Sequence, residues 1–456
     1  MKVMGLIRGP EWNLMYFAIA APRLYWRKKG DMNMLSQLRN SRTLWVTSIV
    51  VACCSSAVAQ HSYKVSDLGH LDNSNLGCAM GLNNRGWTEI MEGKMPPGKE
   101  DYVVALLGGR AAIDIDGINF DLGTLGGKNS FVNYGGINDH GQAVGYAETS
   151  VPDPNGEDVC AFGTGLTCRP FFWQNGSMSA LPTLGGNNGQ ASAINNSGQV
   201  AGFAENGRVD PTCPSTVANN RIDVGVLWEN GKAQTLPPVG SDLDSEAVDI
   251  NSQGDTVGYS GTCGGSANHA VLWEYGSPIP LPDLGFQGSN EAYGINDQGQ
   301  IVGTVSNGTY FYAALWQDQT LTVLKPLAGD ILALGEAINN QGQVVGSALD
   351  SKFEWSHALL WENGKTININ TLFPASSNLY ATMANQINDK GQISGMAVIR
   401  SGPHKGEIDA FVATPVDESI GRSVADEVGA HPDFTMPANA GKQLLSRIVG
   451  LGQPRR

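Results

Sequence analysis

The sequence is short of charge: only 16% of its 456 residues are Asp, Glu, Lys or Arg. Basic residues are scarcer still away from the N-terminus. Residues 1–59 hold eight Lys/Arg and two Asp/Glu, which leaves 21 basic against 41 acidic residues in the remainder, a net charge of −20. A body that acidic is repelled by phosphate backbones and anionic lipid, which argues against nucleic-acid binding. Long apolar runs are lacking too. TLWVTSIVVA (Thr43 to Ala52) is about half the roughly 20 residues a membrane helix requires, so no membrane span is expected. Catalytic signatures are also missing. There is no Gly-x-Ser-x-Gly, no His-Glu-x-x-His, no Cys-x-x-Cys and no nucleophile with an evident base. Neither a cofactor nor a metal is expected.

The N-terminus reads as an export signal. MLSQLRNSR (Met34 to Arg42) is a basic leader, the run above is its apolar core, and Ala57-Val58-Ala59 before Gln60 is a small-residue cleavage site. VVAC (Val50 to Cys53) resembles a lipobox, whose processing would instead leave Cys53 as a lipid-anchored N-terminus. Residues 1–33 carry no export feature and read as an upstream extension, with the signal at 34–59. A secreted or periplasmic protein is expected.

Glycine is plentiful, at 58 residues, and much of it recurs in one pattern. AINNQGQVVG (Ala337 to Gly346) has close copies at GINDHGQAVG, AINNSGQVAG, DINSQGDTVG, GINDQGQIVG and QINDKGQISG, with the weaker GLNNRGWTEI ahead of them. The motif Asn falls at 83, 138, 195, 251, 296, 339 and 388, spaced 43 to 57 residues apart. That spacing suits one supersecondary unit stacking on its neighbours. Asn-x-x-Gly has the chemistry of a type I turn closed by a left-handed Gly, and Trp-Glu-Asn-Gly that of a two-residue hairpin. The repeated Asn, Asp and Gly therefore read as turn residues rather than metal ligands. DIDGINFD (Asp114 to Asp121) reads as a hairpin rather than a calcium loop, because its Gly comes too early.

Each unit holds four short strands, here called a to d, with the Asn turn between a and b and an apolar run ending in Trp as c. A second Gly follows the turn Gly by four, where another backbone must come close. Small residues recur in strand a, as expected of sheets converging on an axis. The last unit lacks a d strand after AFVATPV, while YKVSDLG (Tyr63 to Gly69) looks like an isolated one. The expected fold is all-β: a propeller over residues 60–415 of seven four-stranded blades, closed by this N-terminal strand, with residues 416–456 a flexible tail.

These motifs resemble the bacterial extracellular HAF-repeat family. DLGTLGG (Asp121 to Gly127) and PTLGG (Pro182 to Gly186) match its leading element, and Ile-Asn-x-x-Gly-Gln-x-x-Gly its core. His269-Ala270 and His357-Ala358 match its His-Ala strand. The resemblance covers residues 63–415 and implies export and a repeat fold. It implies no reaction.

Strand parity puts the short a–b and c–d turns on one face and the irregular b–c loops on the other. The b–c loops read as 147–168, 204–223, 260–268, 306–310, 349–356 and 399–408. Cys160 and Cys168 share one loop, and Cys213 and Cys263 lie in adjacent ones, so the pairs 160–168 and 213–263 are expected, with Cys78 a buried thiol. Five residues before the motif Asn stand Asn133, Gln190, Glu246 and Glu291, a polar arc at the channel mouth and the candidate binding residues. His269, His357 and the strand-c tryptophans read as structural. The expected function is an exported scaffold binding an extracellular protein or glycan through its loop face. The alternative is a polysaccharide hydrolase or lyase.

Overall fold

Each repeat folds as its turn residues dictate. In the second, the strand Gly126–Ile137 enters the Asn138 turn and returns as Ala143–Pro152, and Leu166–Gln174 with Ser177–Ala180 forms the next hairpin. Gly141 closes the first turn by donating its N–H to Asn138 O at 3.1 Å, at φ 72°. Asn230 and Gly231 show the other turn, at φ 51° and 72°, the left-handed pair that a two-residue hairpin needs.

The computed structural model describes residues 62–416 except 70–75, 94–108, 215–219, 264–265, 287 and 352–355, all of them within one compact unit. The leader, Cys53 and the tail lie outside the described residues.

The architecture is a β-propeller. Five sheets are four-stranded, each in the order a-b-c-d: blades 2 (Gly126–Ala180), 3 (Gly189–Leu236), 4 (Asp244–Pro280), 5 (Glu291–Val323) and 6 (Asp330–Asn368). An eight-stranded sheet comprises two more such units that touch at one parallel bridge, Leu76 to Ile408. One is blade 1 (Leu76–Asp121). The other, blade 7, takes Leu379–Ile387, Ile393–Ile399 and Ile408–Val416 from one end of the chain and Ser62–Asp67 from the other. Ser62–Asp67 lies antiparallel on the last strand, with Ser62 opposite Val416 and Asp67 opposite Phe411. Tyr63 is thereby buried among Ala381, Ala413 and Phe411 of blade 7.

Two sequence details set the packing within a blade. Strand a carries a bulge before its Ile-Asn, as between Ala292 and Gly294, which brings a carbonyl down onto strand b. A methyl at Gly303 would lie 2.0 Å from Glu291 O, so only Gly fits there. The close approach is thus to strand a of the same blade. Trp228, Trp273 and Trp316 are fully buried, and their indole N–H groups donate to Pro182 O, Pro237 O and Pro282 O at 2.7–2.8 Å. Each accepting carbonyl belongs to the segment leaving the preceding blade, so the tryptophan staples neighbouring blades.

Two expectations need correction. Strands b of blades 2 and 3 run ten residues each and stay paired out to Pro152–Leu166 and Val209–Arg221. The segments starting at 147 and 204 are therefore partly projecting hairpins, not loops. In blade 2 the bulge is also wider, because register moves from Val132–Gly145 straight to Ile137–Ala143. In blade 3 it moves only from Ala191–Gly202 to Ala193–Ala201. Counting back from the turn Asn therefore misplaces Asn133, and Phe131, paired with Tyr146, holds the level that Gln190 holds opposite Phe203.

Candidate functional site

The motif asparagines do more than make turns. Asn339 Oδ1 accepts the N–H groups of Gln341 and Gln343 at 3.1 and 3.0 Å. Its Nδ2 donates to Gln343 Oε1 at 2.6 Å and to Asn388 O, in the next blade, at 3.0 Å. All four positions are used. The same blade-to-blade link runs from Asn83 to 138, 195, 251, 296, 339, 388 and back to 83. With its side chain so engaged, this Asn is a clasp and not a metal ligand. The sequence showed the turn but not the circuit, and the Gln four residues on (Gln142, 199, 300, 343, 392) was the signal for it.

A cavity of about 210 Å³ opens on this face, walled by the Ile/Leu-Asn pairs and by the residue after each Asn. Around that outer tier stand Asn84, Asp139, Asn196, Ser252, Asp297, Asn340 and Asp389. Asp389 accepts Asn340 N at 2.9 Å and the amides of Asn84 and Asn340 at 3.2 and 3.1 Å. Interposed amides keep the three carboxylates apart and solvated by hydrogen bonds.

Blades 2, 3, 4 and 7 converge at Gly135. A methyl at Gly135, in the wide bulge, would lie 3.2 Å from Asp249 Oδ1 of blade 4 and 3.8 Å from Gln386 Nε2 of blade 7. Burial raises Asp249 to about 6, opposed by the N–H groups of Ile295 and Ile250. Cys78, Leu334 and Met383, the apolar members of the candidate level, pack into one cluster with Met80, Met91 and Met396.

The polar members are each engaged. Asn133 Nδ2 donates to Ala191 O at 3.0 Å and Gln190 Nε2 to Val159 O at 3.2 Å. Glu246 accepts Tyr259 OH at 2.6 Å, and buried Glu291 accepts Tyr293 OH and Asn268 Nδ2, both at 2.6 Å. None of the four lines the cavity.

The loop face is the constructed one. Cys160–Cys168 and Cys213–Cys263 are both bridged, and Cys78 is a buried thiol outside both bridges. The first bridge lies in an aromatic cluster with Tyr146, Phe203, Phe131 and Phe162. Val151 and Val209, near the tips of the projecting hairpins, are 56% and 54% exposed, and Phe286 and Tyr310 stand exposed on the same face. His269 Nδ1 pairs with Asp242 at 2.9 Å. His357 Nδ1 lies 2.9 Å from Tyr380 OH, and its Nε2 lies 3.5 Å from Asp330 Oδ1. Burial, then the Asp350 carboxylate, raises Asp330 to about 7. This buried group at strand ends of blades 6 and 7 had no sequence signal beyond the repeated His-Ala.

No protein-family model and no curated protein matches the chain. Among solved structures it is similar to the β-propeller domain of the Trilobed protease from Pyrococcus furiosus (TM-score 0.42, 11% identity, 66% of this chain and 82% of that one). It is also similar to a streptogramin B lyase (TM-score 0.44, 8% identity, 78% and 98%). A gluconolactonase from Xanthomonas campestris is a third (TM-score 0.38, 8% identity, 79% and 93%). Likenesses this remote concern the fold alone. Among the described residues no helix is long and apolar enough to cross a membrane.

Proposed function

We propose that the protein is an exported propeller of the HAF-repeat type, closed as seven blades, that binds an extracellular protein or glycan through its loop face. The observation that carries this reading is the pair of disulfides beside the projecting hairpins of blades 2 and 3. Cross-links that hold long connections in one shape cut the ordering cost of binding, and Val151 and Val209 offer apolar contact at the tips. Glu246 and Glu291 already accept tyrosine hydroxyls at 2.6 Å, which favours binding over polysaccharide hydrolysis or lysis. The test screens the full chain against a glycan array and a secreted-protein fraction. A ligand kept by the parent and lost, at least tenfold, by Val151→Asp/Val209→Asp with unchanged melting supports the reading. No retained ligand, or equal retention by the variant, overturns it.

A further inference from the structure

The Cys213–Cys263 bridge has a third group beside it that the disulfide does not use. Asp210 stands where the blade 3 hairpin ends and is only 1% exposed. Its Oδ1 caps a turn, accepting the N–H and the hydroxyl of Thr212 at 2.7 Å. Its Oδ2 lies 2.8 Å from the same hydroxyl and 3.7 Å from Cys213 Sγ. In the bridged form that sulfur has no hydrogen to donate, so no hydrogen bond joins it to the carboxylate. One carboxylate oxygen and both sulfurs lie within 4.8 Å of one another.

We propose that Asp210, Cys213 and Cys263 form a binding site for a thiophilic divalent cation of the zinc class whenever the two thiols are reduced. Tetrahedral zinc with Zn–S of about 2.3 Å and Zn–O of about 2.0–2.2 Å has S···O edges of about 3.5–3.7 Å and an S···S edge of about 3.8 Å. The Asp210–Cys213 separation of 3.7 Å already matches the first edge. The second is reached by turning the cysteine side chains, whose Cα atoms are 4.8 Å apart. Thr212 fixes the carboxylate and also accepts the Cys263 N–H at 3.1 Å, so the ligand is oriented from behind by a residue that joins both loops. Cys213 is half-buried, which leaves the fourth position to water or an outside ligand.

The chemistry balances. Binding converts two thiols to thiolates and releases two protons, and the cation offsets two of the three negative charges. An external disulfide reverses it: the two thiolates give two electrons to the oxidant's S–S bond, which leaves as two thiols on taking up two protons. The bridge forms and the cation departs. The same two loops are thus tied by metal in the reduced chain and by sulfur in the oxidised one.

The test reduces the full chain with a water-soluble phosphine, which takes oxygen from water to become the phosphine oxide. The desalted protein is titrated anaerobically with Co²⁺ and then Zn²⁺. The expected result is a thiolate-to-cobalt charge-transfer band with tetrahedral visible bands, displaced by Zn²⁺. Cys160→Ser/Cys168→Ser should keep the signal and Cys263→Ser lose it. Asp210→Asn, which retains the turn-capping oxygen, should weaken Zn²⁺ binding at least tenfold while melting of the oxidised form is unchanged. Absence of the band in the reduced parent overturns the proposal. So does its loss in Cys160→Ser/Cys168→Ser, or its persistence unweakened in Cys263→Ser or Asp210→Asn.

Discussion

Replacing Glu89 with valine should stabilise the protein, by an amount that grows with pH. Glu89 sits in strand b of blade 1 with no exposed surface, and neither carboxyl oxygen has a hydrogen-bond partner. The equivalent residue in blades 2 to 7 is Val144, Ala201, Val257, Val302, Val345 or Ser394, each buried in the wall between blades. Space for the carboxyl comes from glycines, since a methyl at Gly81 or Gly136 would lie 2.4 Å from Oε2. A buried polar group left unbonded costs about 1–3 kcal/mol even when neutral. The ionised form costs more, and burial holds the pKa well above 4.5. A raised carboxyl pKa means that the folded state binds the proton more tightly than the unfolded one. Its stabilising effect is complete below the unfolded value and is lost as pH rises through the folded one. Between the two, stability falls by about 1.4 kcal/mol per pH unit. Glu89→Val removes both costs and gives back about 1 kcal/mol through looser packing. Urea midpoints of parent, Glu89→Val and Glu89→Gln at pH 4.5, 6 and 7.5 decide the matter. The valine advantage should widen with pH, and glutamine should abolish the pH slope without the full gain. A valine variant less stable at every pH, or a constant gap, would refute the reasoning.

Gly303→Ala should cost more than about 3 kcal/mol, because its methyl meets a backbone carbonyl that cannot move without opening the bulge. Gly364→Ala, at a turn with open space around it, should cost only about 1 kcal/mol for its φ of 73°. Equal urea midpoints for the two would falsify the close-approach argument. Deleting Ser62–Asp67 should leave Ile408–Val416 as an unpaired edge and drive association or unfolding, and a truncated monomer that melts like the parent would show the pairing to be dispensable.

What was legible in the sequence was whatever one repeat states alone. Asn-x-x-Gly names its turn, the second Gly names a close backbone, and a missing fourth strand at one end matches a spare at the other. The cysteine pairs followed from loop parity. What was not legible depends on neighbours. The asparagine clasp joins residues 43 to 57 apart in six links and 305 apart in the seventh, so no short window of sequence contains both partners. Asn133 was misplaced because two extra residues in the blade 2 bulge are invisible to counting. The Asp330–His357–Tyr380 group comes from three different strands in two blades. The candidate polar arc rests on one aligned column, which the structure splits into an apolar group and a polar group that is already hydrogen-bonded.

The outer tier on the Asn face raises a question of parity. Its members run Asn84, Asp139, Asn196, Ser252, Asp297, Asn340, Asp389 and return to Asn84. Amide alternates with carboxylate, so that each acid has amide donors beside it and no two acids meet. Strict alternation can close only in a circle with an even number of members. An odd circle must contain one mismatch, where two amides or two acids would fall side by side. Ser252, neither amide nor acid, occupies that place. With seven turns in the tier, Ser252 stands where aspartate would put an acid side by side with Asp297 and asparagine would put an amide side by side with Asn196.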